Sequence, residues 1–104
     1  MIVVTTESIA GHRIVEHIGV VGGDAIVGAN MFRDFFARVT DVIGGRAGGY
    51  ENALRGAKEH AIEDMIEEAG ERGADAVVGV DLDYHAIGDS MLMVSATGTA
   101  VRLG

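Results

Sequence analysis

The chain has 104 residues, a length that fits one domain with a single core. Its net charge of −8 disfavours nucleic acid and anionic membranes as partners, because both carry phosphate and attract basic proteins. The absence of cysteine excludes disulfides, zinc-thiolate sites and thiol nucleophiles, and makes the cytoplasm the expected location.

The chain is predicted to begin with two strands. Residues 1–7 have no basic lead and only a short apolar run, which indicates a short strand rather than a signal peptide or a membrane span. Residues 13–26 are rich in valine and isoleucine, which favours a longer strand, bent at Gly22 and Gly23. Strict alternation assigns one face of this strand to Ile14, Glu16, Ile18 and Val20.

A first helix is predicted next. Asn30 is a suitable N-cap and Gly44 a suitable terminator. Asp34 and Arg38, four residues apart, form a favourable pair on the outer face. The apolar residues at helical spacing are Met31, Phe32, Phe35, Phe36, Val39, Val42 and Ile43.

A second and longer helix is predicted from Tyr50 to Arg72. Glu51 suits the positive helix start, and Arg72 with Gly73 supplies a basic last turn and a C′ glycine. Its acidic face is expected to be solvated. Its apolar stripe is Leu54, Ala57, Ala61, Ile62, Met65 and Ala69.

A glycine-rich corner, residues 44–51, joins the two helices and has two interpretations. The structural one is a tight turn in which Arg46 pairs with Glu51, with Asp41 or with a carboxylate of a neighbouring subunit. The functional one is a small anionic ligand bound at the helix start, beside Arg46. Glu51 counts against an anion, and the spacing matches neither phosphate-loop nor dinucleotide motifs.

The C-terminal part is predicted to form a hairpin. Residues 74–86 and 90–101 are strand-like, and Gly88-Asp89 forms the turn between them. The predicted fold class is therefore α+β, with a small antiparallel sheet of three main strands in the order β-α-α-β-β and two helices on one face.

One face of this sheet is predicted to need a partner. Two helices cover one side, yet all three strands have stretches that are apolar on both sides. A monomer would expose a larger apolar patch than is usual, which predicts a homo-oligomer. The patch contains Val20 or Val21, Val77 or Val78, and Met91 or Leu92.

Four ordered blocks, spanning almost the whole chain, resemble the family of small bacterial proteins called YbjQ, or uncharacterised protein family 0145. They are Gly28-Ala29-Asn30 with Phe32-Arg33-Asp34, Gly44-Gly45-Arg46 through Tyr50-Glu51, Gly73 through Asp81 with Asp83-Tyr84, and Ser90 through Val94 with Gly98 through Val101. The resemblance implies an α+β subunit in a ring-like homopentamer, and the family label carries a suggestion of heavy-metal binding. The sequence departs from the family pattern at Thr40, at His85 and at the shortened turn near Asp89.

Two sets of side chains are candidate metal ligands. Asp81, Asp83 and His85 alternate along a strand, so two carboxylates and an imidazole project from one face. The simpler interpretation is the solvated end of an edge strand. Met91 and Met93 also share a face and could offer thioethers to a soft ion such as Cu(I), although strand methionines usually serve packing.

No catalytic site is predicted. Ser8, Ser90 and Ser95 have no histidine and aspartate partners at a recognisable spacing. A tyrosine could act as a catalytic acid, but a half-buried tyrosine usually only holds a hydrogen bond. The sequence favours a binding or scaffolding protein, with a metal ion or small anionic ligand at subunit boundaries. The candidate ligand or interface residues are Asn30, Arg33, Asp34, Arg46, Tyr50, Glu51 and Tyr84.

The uncovered sheet face generates the first testable prediction. Size-exclusion chromatography with light scattering at micromolar protein should give a mass several times that of the 10.8 kDa chain, because the apolar face is expected to be buried between copies. A single 10.8 kDa species would contradict the prediction.

Overall fold

Helix and sheet occupy separate stretches of the chain, as the α+β prediction requires. The computed structural model describes residues 1–28, 48–88 and 91–104. The predicted first helix and residues 29–47 as a whole lie outside this description. The elements are β1 (Ile2–Val3), β2 (Ile14–Val27), α1 (Gly48–Glu71), β3 (Ala76–Ile87) and β4 (Met91–Leu103).

The sheet has four strands in the order β1-β3-β4-β2. The predicted hairpin of β3 and β4 is confirmed, and β2 lies antiparallel on the other side of β4. The expectation of three antiparallel strands was wrong in one respect, because β1 adds a fourth strand parallel to β3. The N–H of Val80 extends this edge by donating to the Val4 carbonyl oxygen at 3.1 Å.

Helix α1 buries the predicted stripe against β2 and β4. Ala61, Met65 and Ala69 are fully buried and share one core cluster with Val21 of β2. The helix stops because Gly73 takes a φ of 78°, and its N–H donates to the Gly70 carbonyl at 3.0 Å. The C′ glycine is thereby confirmed. Among the described residues no helix is long and apolar enough to cross a membrane.

The glycine pair in β2 lets α1 approach the strand and does not interrupt the strand. A Cβ atom built on Gly23 would overlap the Ala61 carbonyl oxygen and would lie 2.6 Å from the Met65 nitrogen. Strand β2 continues through Gly22 and Gly23, and its register shifts occur earlier, between residues 14 and 19. No register shift accompanies the predicted bend at the glycine pair.

The register shift between His17 and Gly19 shows that the predicted faces of β2 were wrong in part. An extra residue there moves Ile18 to the helix side, where it packs against the core cluster of α1. Val20 is on the opposite side and is 74% exposed. The predicted alternation placed Ile18 and Val20 on one face because it assumed a regular strand.

Polar side chains of α1, together with Arg72, form hydrogen bonds with backbone groups on the outer edge of β2. Arg72 donates from Nη1 to the Val20 carbonyl at 2.9 Å and from Nη2 to the Ile18 carbonyl at 3.1 Å. The Gly22 N–H donates to Glu68 Oε2 at 3.1 Å. The expectation that the whole acidic face is only solvated was wrong at Glu68, because β2 offers unpaired backbone groups there.

The far face, meaning the sheet face opposite α1, is covered only in part. Ala76, Val78 and Val101 are buried there beneath apolar residues of the N-terminal segment that include Val4 and Ile9. The predicted patch is thus smaller than expected at its Val78 end, because residues that precede β2 fold over it. Val20 remains exposed.

The close approach at Gly23 can be tested by alanine substitution. Gly23→Ala should lower the free energy of unfolding by at least about 2 kcal/mol, because the new methyl group meets helix backbone that cannot move aside. Urea denaturation at fixed protein concentration measures the change. The matched control is Gly56→Ala within α1, where a Cβ meets nothing within 4 Å; it should raise stability by about 0.5–1 kcal/mol. Equal stability of Gly23→Ala and wild type would contradict the proposed contact.

Candidate functional site

The exposed half of the far face carries the predicted metal ligands. Asp81, Asp83 and His85 lie opposite Thr97, Ser95 and Met93 of β4, respectively. All three side chains are exposed. Because directly opposed residues project to the same side of a sheet, the three form one row, called here the donor ladder. The predicted alternation of these side chains is thus reproduced.

A β-bulge decides which face receives the donor ladder. Val78 pairs with Thr99, but the next far-face position, Thr97, pairs with Asp81 instead of Val80. Gly79 provides the extra residue and adopts a φ of 62°. Val80 consequently packs against the core cluster of α1 and Asp81 projects from the far face. Without the bulge, Val80 would project from the far face and Asp81 would face α1.

The donor ladder of one chain does not converge on a single ion. Same-face neighbours in a strand are about 7 Å apart, so Asp81 and His85 are separated by roughly twice that distance. In agreement, the described residues contain no group of three histidine, cysteine, aspartate or glutamate side chains able to hold one metal ion. Metal binding by Asp81, Asp83 and His85 stays a prediction, and one copy's ladder does not complete the site.

Pairing with β2 adds residues that the sequence did not identify. Ser95 lies between Asp83 of β3 and Asp24 of β2. Its hydroxyl donates to Asp24 Oδ1 at 2.6 Å, which fixes that carboxylate on the far face. No motif in the sequence links Asp24 to the donor ladder, because their proximity depends on two separate strand registers.

The methionine candidates lie beside the imidazole end of the donor ladder. Met93 is directly opposite His85 on one side and Ile26 on the other. Met91, two residues before Met93, projects to the same face, and both methionines are half-buried. Met65, by contrast, is fully buried in the core. Imidazole and thioethers therefore meet at one end, whereas carboxylates occupy the other.

The remaining candidates lie elsewhere or outside the described residues. Tyr84 is 50% exposed and pairs with Val94, so it projects from the helix side and not toward the donor ladder. Glu51 is exposed in the first turn of α1, where its charge disfavours a bound anion. Tyr50 is in the same turn, and its side chain is not described. Outside the described residues lie Asn30, Arg33, Asp34, Arg46 and Ser90.

Two concave regions of the described residues are lined by residues outside the donor ladder. A cavity of about 590 Å³ lies between the end of β2 and the start of α1, and its lining includes His60. A smaller groove of about 180 Å³ is lined by acidic residues of α1, and Glu68 is already hydrogen-bonded there. The far face of the hairpin is therefore the surface where the predicted ligands lie together.

Known proteins are similar to this chain over its whole length. A sequence model of the YbjQ family, described as "Putative heavy-metal-binding", matches residues 1–104. UPF0145 proteins from two strains of Bacillus cereus are 53% and 52% identical over 103 residues, covering 99% of this chain and 100% of each relative. A crystal structure of a protein of unknown function from Pediococcus pentosaceus, assigned to the DUF74 family, has a TM-score of 0.68 at 14% identity. It covers 100% of this chain and 98% of its own, and supports the fold alone.

The role of Gly79 can be tested through its backbone conformation. Gly79→Ala should lower the free energy of unfolding by about 1–2 kcal/mol, because an L-residue with a side chain is strained at positive φ. No atom lies within 4 Å of the new Cβ, so a steric contact would not account for the loss. Gly79→Asn, which tolerates this conformation better, should lose clearly less. Chemical denaturation measures both, and an unchanged Gly79→Ala variant would contradict the assignment.

Proposed function

The chain belongs to the YbjQ family, and from that premise we propose that it is a homo-oligomeric metal-ion-binding protein that uses the far face of the β3–β4 hairpin. The observation that carries this proposal is the exposed donor ladder of Asp81, Asp83 and His85 on one face. Carboxylate oxygen and imidazole nitrogen are ordinary ligands of divalent transition metals.

A second copy of the chain is part of the proposal because one ladder is too extended for one ion. When two ladders face each other, a carboxylate of one copy can approach the imidazole of the other. Each copy then supplies only one or two ligands. The net charge of −8 favours this use, since an acidic protein attracts cations to its surface.

Exposed apolar side chains beside the donor ladder support contact between copies. Val20 is 74% exposed and Ile26 is 58% exposed, and both lie on the far face. Burial of such side chains between subunits is favourable by about 25 cal/mol for each Å² removed from water. A ring of five subunits in the cytoplasm is the arrangement that we propose from the family resemblance and from the lack of cysteine.

Titration calorimetry with Zn²⁺, Ni²⁺ and Cu²⁺ tests the proposal. Wild-type protein should bind at least one of these ions, and Asp81→Ala and His85→Ala should each weaken binding at least about tenfold because each removes a ligand. The matched controls are Glu63→Ala and His60→Ala, which remove an exposed carboxylate and an exposed imidazole of α1, on the other side of the sheet. They should leave the affinity unchanged.

Native mass spectrometry separates a shared site from a site within one chain. If copies share the ion, metal should remain with oligomers and be absent from released monomers. Absence of binding heat with all three ions would contradict metal binding. Retention of metal by isolated monomers would contradict the shared site.

A further inference from the structure

The imidazole end of the donor ladder has a chemistry distinct from that of its carboxylate end. His85 lies directly opposite Met93 in the β3–β4 register. Opposed residues have Cβ atoms about 5 Å apart, and diagonal neighbours such as Met91 and His85 are about 7–8 Å apart, within reach of long side chains. One chain thus supplies an imidazole and two thioethers on a single face.

The two methionines are accessible, unlike a methionine that fills a core. Both are half-buried, and His85 is exposed. Met65 shows the contrasting case, because it is fully buried within the core cluster beneath α1. The thioethers of Met91 and Met93 therefore lie, beside the imidazole, at a surface that an ion can reach.

We infer that His85, Met91 and Met93 form a binding site for a soft monovalent metal ion of the Cu(I) class. Thioethers are soft ligands that favour Cu(I) over Zn²⁺ or Ni²⁺, and imidazole suits copper as well. All three ligands are uncharged when the imidazole is neutral, which suits an ion of low charge. This inference rests on the proposed function, since it names the metal class for one end of the same face.

Anaerobic titration with Cu(I), in competition with a chromophoric chelator, tests the site. Met91→Leu and Met93→Leu should each weaken Cu(I) binding at least about tenfold, and the double variant further. Leucine keeps the apolar volume, so the strand should fold. Both substitutions should leave binding of Zn²⁺ and Ni²⁺ unchanged, whereas His85→Ala should weaken Cu(I) and divalent ions alike. Met65→Leu is the matched control and should bind Cu(I) as wild type does.

Methyl resonances of the wild-type protein give a second readout that does not depend on the affinity of a variant. Ag(I), a soft monovalent ion without redox chemistry, should shift the methyl signals of two of the five methionines. These two should be the signals that disappear in Met91→Leu and Met93→Leu. Unmoved Met91 and Met93 signals, or unchanged Cu(I) affinity in the double variant, would overturn the inference.

The two proposals fail in distinguishable ways. Binding of divalent ions without binding of Cu(I) or Ag(I) would overturn this inference and leave the proposed function in place. Absence of binding by every ion would overturn both. Loss of Cu(I) binding in Asp81→Ala to the same extent as in Met93→Leu would also overturn the inference, since it would place the soft ion at the carboxylate end.

Discussion

The absence of a side chain at Gly23 sets how closely α1 lies on the sheet. The backbone of the helix at Ala61 and Met65 occupies the space that a Cβ on this residue would need. The small side chains of Ala61 and Ala69 make the same approach possible from the helix. At this short distance, polar side chains one turn apart reach the edge of β2. They belong to Asp64 and Glu68 of α1 and to Arg72 just after it, and each forms a hydrogen bond with β2 backbone.

The second important glycine is Gly79 in β3. It separates the part of β3 that packs in the core from the part that carries the donor ladder. Before it, Val77 and Val78 are buried on opposite faces, so β3 serves the core on both sides. After it, apolar and polar positions alternate, and the bulge directs the polar ones outward. The register of a single residue therefore decides whether carboxylates face water or the helix.

Local sequence patterns were sufficient for the described elements and for the β3–β4 hairpin, but insufficient for contacts between distant parts of the chain. The period of α1, the terminating Gly73 and the alternation of the donor ladder all depend on residues close in sequence, and the structure reproduces them. The parallel pairing of β1 and the packing of the N-terminal segment on Val78 join residues about seventy positions apart. Such contacts depend on packing, which a single sequence does not reveal.

The candidate site shows the same division. A shared face for Asp81, Asp83 and His85 follows from the two-residue period of a strand. The pairing of His85 with Met93 depends on the length of the turn between Ile87 and Met91, since one residue more or less would offset every opposed pair. Asp24 lies near the donor ladder only because β2 pairs with β4. The signal for the bulge was present, however, because an isolated glycine inside a strand pattern often marks one.

The hydrogen bonds along β2 also limit how the sheet can grow. A strand edge with unpaired backbone groups is a template onto which another chain can add, and repeated addition gives fibres. Here a guanidinium and a carboxylate already bind the outward carbonyls and an N–H of β2. Strand addition along the middle of β2 is therefore disfavoured, because a new strand would have to displace these hydrogen bonds. This reduces the tendency of a valine- and isoleucine-rich edge strand to polymerise.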